Sequence, residues 1–422
     1  MKPVNVLLLG AGSRGMYNYA EYARKNPGML KIVSIAEPDT AKREKVQQEH
    51  GIPEEFVFSS WEDAFNRLDK TGLPEVEAVI IATQDNMHLG PIETAMKHNL
   101  HILCEKPIVP HSDECRHIES KTTGYSKVFM IAHVLKYTAF FSTIKNIISS
   151  GKIGRLIGMD LIEHVGNIHC SHSYVRGNWR NNAESSPMIL AKSCHDMDIL
   201  YWLAGSPCES LNSYGDLHYF VKENAPQGAP QRCLDGCPHS VVCPYFAPKI
   251  YLNGNTGWPV SVITTDLSTA GILAALESGP YGRCVFHCDN DVVDHQTVSV
   301  RFANGVTANF IMSGFTKKMH RSVSLFGTAG EITGDMETST IKVNEFSSGN
   351  TETVDLGNQA GGHSGGDRRF ITNFVNMVRD GSGDDRNIVR NSFESHYMAF
   401  AAEKSRLEGG KMILLNEERR KS

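Results

Sequence analysis

The sequence predicts two joined α/β units. A doubly wound parallel sheet is expected over residues 1–150, and an α+β domain with a large, mostly antiparallel sheet over 151–422. Three observations predict this division. Short apolar runs alternate with helical stretches through the first unit, as happens where crossover helices cover both faces of a parallel sheet. A glycine-rich turn joins the first apolar run to the first helical stretch. Beyond Gly151 the runs become rich in Val, Phe, Thr and Tyr, and Asn304-Gly305 sits between two of them, a strong hairpin signal.

In chain order, residues 4–9 read as a strand buried on both faces and 16–26 as a helix. A second strand at 32–36 ends at Glu37, with helical material at 40–49. Strands at 76–82, 101–104 and 127–132 alternate with helices at 91–98 and 137–149. In the second unit a long strand runs toward Val165, a helix covers 195–203, and strands are expected at 280–288, 295–302, 305–313 and 320–326. Helices recur at 367–379 and 389–407. The stretch 222–262 is punctuated by Pro and Gly and reads as an irregular insertion, a length of loop that often serves a site.

Composition narrows the function. Of 422 residues, 42 are Lys or Arg and 47 Asp or Glu, a net charge of −5, which disfavours a nucleic-acid or anionic-membrane partner. The first residues lack a secretory cleavage pattern, and no apolar run is long enough to span a bilayer. Ten dilute cysteines suit reduced thiols and a cytoplasmic setting better than a disulfide scaffold.

The first chemical signal is Gly10-Ala11-Gly12-Ser13-Arg14-Gly15 between strand and helix. Gly10 permits the tight turn, Gly12 lets backbone approach a pyrophosphate at a helix N-terminus, and Gly15 allows close packing. Glu37, closing the second strand, is placed to accept the hydroxyls of an adenosine ribose and to repel a 2′-phosphate. NAD is therefore favoured over NADP, while Arg14 and Arg43 are the residues that could answer a phosphate.

These residues, with Ala36-Glu37-Pro38-Asp39, Thr83 and His88, Glu105-Lys106-Pro107, Gly151-Lys152-Ile153-Gly154, and His195 and Asp198 before Trp202-Leu203-Ala204-Gly205, make the chain resemble the Gfo/Idh/MocA (glucose–fructose oxidoreductase / inositol dehydrogenase) family over nearly its whole length. The resemblance implies a Rossmann domain and a nicotinamide cofactor held by the glycine loop, Glu37, Thr83, His88, Glu105 and Lys106. It also implies a cyclic polyol or sugar substrate oxidised at a ring carbinol. Lys106 would polarise the hydroxyl and stabilise alkoxide, and His195 would take its proton.

One departure stands out. The family commonly has an aspartate four positions before this histidine; here that position is Ala191, followed by Lys192. Lys192 is thus a second candidate catalytic or substrate-binding ammonium, whose charge would depress the pKa of Lys106 or be depressed by it. Further substrate candidates are His133, Tyr174, Arg176, Trp179 and His363. Cys233, Cys237 and Cys243 read as a knuckle for a structural zinc ion, with Cys208 or His239 as fourth ligand.

The leading expectation is an NAD(P)-dependent sugar oxidoreductase acting as a homodimer or homotetramer. An NAD-dependent glycosidase, working by transient C3 oxidation, elimination, water addition and re-reduction, is the alternative. A dinucleotide-binding protein without chemistry is the third.

Overall fold

The structure, a computed structural model, describes residues 2–70, 75–357, 359, 361–380 and 387–420. Six parallel strands, β1 Val4–Leu9, β2 Leu30–Ala36, β3 Val57–Phe58, β4 Ala78–Ile81, β5 His101–Cys104 and β6 Phe129–Ile131, form the first sheet in the order β3-β2-β1-β4-β5-β6. Strand alternation sorts its apolar residues into two cores. Val4, Val6 and Leu8 of β1 pack on one face, and Leu7 and Leu9 on the other. The order reverses between β1 and β4, so their carboxyl ends open the crevice in which ligands of such sheets bind.

The second sheet has nine strands: β7 Leu156–His164, β8 Cys208–Asp216, β9 His295–Phe302, β10 Thr307–Ser313, β11 His320–Gly327, β12 Gly330–Asp335, β13 Thr340–Glu345, β14 Thr351–Asp355 and β15 Ile413–Leu414. Their order is β14-β13-β12-β11-β7-β10-β9-β8-β15. It is antiparallel except where β7 and β10 run parallel. Asn304-Gly305 does turn the β9–β10 hairpin, with Gly305 at φ +87°. The helix Cys194–Ala204 joins the core on one face. The opposite face of β9 shows solvent at every second residue, including Thr297, Ser299 and Arg301, the signature of a one-sided antiparallel sheet.

Three features differ from the sequence expectation. Residues 280–288 form no strand; a short 3₁₀ turn, Pro280–Gly282, leads into loops stitched to the insertion. The helix after the glycine turn begins as a π-helical segment, Gly15–Ala20, before Glu21–Lys25 continues as α. The division at residue 150 is also crossed by the C-terminal helices. Phe370, Ile371, Phe374 and Val375 of Gly366–Asp380 pack against the β1 Val6/Leu8 face. From Asn387–Leu407, Phe393 and Tyr397 pack on the other face, while Met398 and Ala402 join the second core. Amphipathic periodicity shows that a helix has an apolar face but not which core receives it.

Candidate functional site

The glycine turn is set by contact. A Cβ on Gly10, at φ +90°, would lie 2.5 Å from the Ala82 carbonyl oxygen, and one on Gly15 would lie 2.0 Å from that of Gly10. A Cβ on Gly12 would meet nothing within 4 Å. Gly10 and Gly15 are therefore demanded by the protein itself, and Gly12 borders open space. Glu37 is buried at the end of β2. It accepts the Ala11 N–H at 2.5 Å on one oxygen and the Asp39 N–H at 2.9 Å on the other. Neither arginine considered for a phosphate is free. The Arg43 guanidinium donates to the carbonyls of Glu37 and Pro38, and Arg14 turns inward to Glu105 at 2.5 Å and Asp367 at 2.8 Å. The buried Thr83 hydroxyl, at the crevice beside Gly10, has no hydrogen-bond partner. An open Gly12 face and an orphaned polar atom beside it fit a dinucleotide lying across this end of the sheet.

His88 has a different place from the one expected. It is wholly buried, with Nδ1 2.8 Å from the Pro107 carbonyl and Nε2 3.3 Å from that of Thr83. It braces the Glu105-Lys106-Pro107 loop, whose Lys106–Pro107 bond is cis, rather than facing a cofactor. Glu105 does not grip the Lys106 ammonium. Its carboxylate takes Arg14 Nε and, at 2.7 Å, the Tyr19 hydroxyl; burial alone would raise its pKa, but Arg14 and Tyr19 hold it below the usual carboxylate range. Tyr19 had no motif to announce it.

Lys106 reaches across the domain junction and donates to the Ala191 carbonyl at 2.6 Å. The residue standing where the family's aspartate is usual thus meets the lysine through its backbone. His195 follows on the Cys194–Ala204 helix and is buried, with Nδ1 unpartnered. Burial, then the charge of Lys106, then His133 and His363, hold its pKa well below the ordinary value, so it is a neutral imidazole. His133 and His363 approach it with ring centroids at 5.7 and 5.8 Å. His363 lies 3.0 Å from Asp367, in a loop at positive φ. Against the pull of burial, His363 and Arg14 lower the Asp367 pKa.

Lys192 is not a free second ammonium. It sits 3.1 Å from Glu163, whose other oxygen lies 2.7 Å from Arg321, and Arg321 in turn holds Asp196 through Nε at 2.6 Å. Burial lowers the Lys192 pKa and Glu163 opposes it. Burial also raises the Asp196 carboxyl to about 6. Lys192 is thus held within this four-membered chain, not against Lys106.

Of the other substrate candidates, Tyr174 is buried and Trp179 half-exposed, their rings 6.3 Å apart, and Trp179 Nε1 donates to Asp85 at 3.2 Å. Trp258 of the insertion, which the sequence did not single out, stands edge-on to His169 at 5.2 Å and remains half-exposed. His169 in turn feels the charges of Lys192 and Lys106. Arg176 must be removed from the substrate list. It is fully buried beneath the insertion, donating to the carbonyls of Arg283 and Tyr245 at 2.7 Å each.

The cysteines also depart from expectation. Cys233, Cys237 and Cys243 line one cavity with His239, but Cys208 is not in its wall. Cys208 starts β8, where its N–H is held by Glu394. Among the described residues only His133, Cys194 and His396 bring three ligand atoms within 4.8 Å of one another. In that group both His396 ring nitrogens are already engaged, by the Ser392 carbonyl and the Ile108 N–H.

Comparison with known proteins now bears on this geometry. The model of the Oxidoreductase family NAD-binding Rossmann fold matches residues 4–133, and that of the family's C-terminal alpha/beta domain matches 145–413. The chain belongs to the Gfo/Idh/MocA oxidoreductase family. It is 25% identical over 280 residues to the protein named YteT of Bacillus subtilis (strain 168), covering 64% of this chain and 62% of that one. It is 26% identical over 220 residues to 2,7-anhydro-N-acetylneuraminate hydratase of Mediterraneibacter gnavus, covering 51% and 53%. The chain thus spans about half to three-fifths of these relatives' lengths. A solved levoglucosan dehydrogenase, in complex with NADH and levoglucosan, superposes with a TM-score of 0.71 at 16% identity, over 98% of this chain and 100% of that one. This likeness of fold runs over both sheets. No helix among the described residues is long and apolar enough to cross a membrane.

Proposed function

We propose that this Gfo/Idh/MocA protein is an NAD-dependent oxidoreductase acting at a ring carbinol of a sugar or sugar derivative. The observation that carries the proposal is the pairing at the domain junction: a lysine held at the end of β5 by the Ala191 carbonyl, beside a histidine kept neutral by burial and by that lysine. The nicotinamide, when bound, accepts or returns the hydride. The residues do the rest. Lys106 donates to the reacting hydroxyl and stabilises negative charge as it develops on oxygen. Neutral His195 receives the hydroxyl proton. Glu37 meets the adenosine ribose, and since Arg14 and Arg43 are committed elsewhere, NAD is preferred to NADP. Trp179, Trp258, Tyr174 and His363 supply apolar faces and polar edges for a sugar ring.

A redox-neutral variant, in which an oxidised sugar intermediate undergoes elimination and is reduced again, has its own support. One similar protein is named a hydratase, and the Lys192–Glu163–Arg321–Asp196 chain places further ionisable groups beside His195. A glycosidase would use the same route. A role without chemistry would leave this array unused. Turnover of a panel of sugars and glycosides with NAD distinguishes these readings. Stoichiometric NADH release supports dehydrogenation. Product formation without net NADH, with solvent deuterium appearing at C2, supports the redox-neutral route. Tight NAD binding with neither outcome rejects both.

Three finer readings accompany the proposal. The ten cysteines are all free, in keeping with a reducing, cytoplasmic compartment. The open sheet face carries the exposed apolar residues Ile157, Tyr214, Ile311 and Phe326, suited to a homodimer or homotetramer. The thiols of the insertion make a candidate site for a structural metal.

A further inference from the structure

We propose that Cys233, Cys237, Cys243 and Cys284 together hold a four-thiolate metal centre that pins the 222–262 insertion to the substrate domain, with buried Arg176 as its counter-charge. The centre is independent of the oxidoreductase reading.

The fourth cysteine comes from a distant part of the chain, which is why spacing alone points elsewhere. Residues 231–233 and 282–284 pair as a short antiparallel ladder. The Cys233 N–H donates to the Gly282 carbonyl and the Cys284 N–H to that of Gln231, each at 2.9 Å, around the bridge Arg232–Arg283. This ladder puts Cys233 and Cys284 on the same face, diagonally across the bridge, and both line the cavity. The turn from His239 to Cys243, closed by a 2.9 Å hydrogen bond, brings Cys243 to the same cavity, and Cys237 completes the wall. The two residues expected from the sequence as fourth ligand fit less well. His239 Nε2 is already 2.8 Å from the Gln227 carbonyl, and Cys208 lies outside the cavity wall.

Two further observations point to a negatively charged occupant. The first is Arg176. Its guanidinium is wholly buried, lines the cavity, and lies 3.7 Å from the Cys233 sulfur, and no carboxylate pairs with it among the described residues. A buried cation without an anion is costly. Four thiolates around either a divalent zinc ion or a four-iron–four-sulfur cube of charge two leave a dianion, which would answer it. The second is the set of backbone donors aimed at sulfur. Ala247 N–H lies 3.4 Å from the Cys233 sulfur, and the N–H groups of Tyr245 and Phe286 are directed at those of Cys243 and Cys284. Such N–H···S bonds stabilise thiolates and tune thiolate-bound metals.

The spacing of the sulfurs favours a cluster over one zinc ion. Tetrahedral Zn–S bonds of about 2.3 Å set sulfurs about 3.8 Å apart. No three of these thiols lie within 4.8 Å of one another, whereas a cluster's inorganic sulfides need room between the cysteines. The centre ties the insertion, which carries Trp258, to the 280–288 loops and, through Arg176, to the turn that bears Tyr174.

The test is the metal content of the full chain, purified without oxygen from iron-supplied cells. About four irons and about four acid-labile sulfides per chain are expected, with most of both lost in Cys284→Ser and retained in Cys208→Ser and Cys288→Ser. One zinc per chain that depends on Cys284 supports the four-thiol ligand set and rejects the cluster as its occupant. Protein free of metal after both iron and zinc supply, or a Cys284→Ser variant with wild-type metal content, overturns the proposal. If that variant is insoluble, X-ray absorption on the wild type decides. A first shell of sulfur alone supports the four-thiolate centre, and nitrogen or oxygen ligands overturn it.

Discussion

The Lys106 ammonium and the Ala191 carbonyl meet at 2.6 Å, joining the cofactor domain to the substrate domain through the residue that would do the chemistry. A backbone carbonyl holds the lysine without neutralising it, as a carboxylate would. The retained positive charge reaches His195 and is the largest contribution after burial to its low pKa.

The first prediction follows. Lys106→Met should lower kcat by roughly 10²- to 10⁴-fold, the usual worth of a positioned proton-handling group, while leaving the dissociation constant for NADH nearly unchanged. Because neutral His195 is the working form, the acid limb of kcat/KM should lie well below pH 6.5 in the wild type. Removing the neighbouring cation should shift the His195 pKa upward. In a variant with residual turnover, such as Lys106→Gln, the acid limb should move to higher pH. A limb that stays in place would separate His195 from the reaction.

A second prediction concerns the buried ionic chain. Arg321→Leu strands Glu163 and Asp196, both buried, with only Lys192 to compensate. Breaking a buried pair in this way costs about 3–5 kcal/mol, readable in urea unfolding. Lys192→Met leaves Glu163 on Arg321 and should cost less stability. If Lys192 also binds substrate, its removal should raise KM more than it lowers kcat.

Much of this was legible from the sequence, for definite reasons. Strands β1, β2 and β5 are short apolar runs that end in Gly, Glu or Glu-Lys-Pro, and a strand buried on both faces can hardly be written otherwise. The glycine loop and Lys106 lie at the ends of those strands, so topology places them together. What was not legible came from contacts between distant segments. Nothing near Arg14 in sequence says that it will meet Asp367, or that Arg176 will turn beneath the insertion. Polar residues in loops carry no periodicity, and a histidine such as His88 reads alike whether it faces a cofactor or braces a carbonyl.

Acid should weaken the fold before neutral pH is far behind. Burial lowers the pKa of His172 to about 4 and that of His396 to about 3, against about 6.5 in the unfolded chain. Below pH 6.5 the unfolded state therefore binds more protons, and stability falls with pH by up to about 1.4 kcal/mol per unit for each group. Asp196, raised to about 6, works in the opposite direction between its unfolded pKa and 6, but it is one group against two. The urea midpoint should be nearly flat from pH 8 to 7 and lower at pH 5. An unchanged midpoint at pH 5 would show that these imidazoles are not buried as neutral groups.

The glycine turn offers a separation of folding from binding. Gly15→Ala places a methyl 2.0 Å from the Gly10 carbonyl oxygen, so the turn must open. The expected result is a destabilised protein, with a lower thermal midpoint whether or not dinucleotide is present. Gly12→Ala places its methyl in open space. The apo protein should unfold at nearly the wild-type temperature, since nothing of the chain is displaced. The methyl would instead occupy the space into which a pyrophosphate must come to reach backbone N–H groups. NADH affinity should drop by about tenfold or more, the equivalent of roughly 1.4 kcal/mol, and the stabilisation that NADH confers on the wild type should shrink with it. Fluorescence titration of NADH with thermal unfolding, run on both variants, reads the two effects apart. Equal NADH affinity in Gly12→Ala and wild type would mean that the dinucleotide does not pass over this turn.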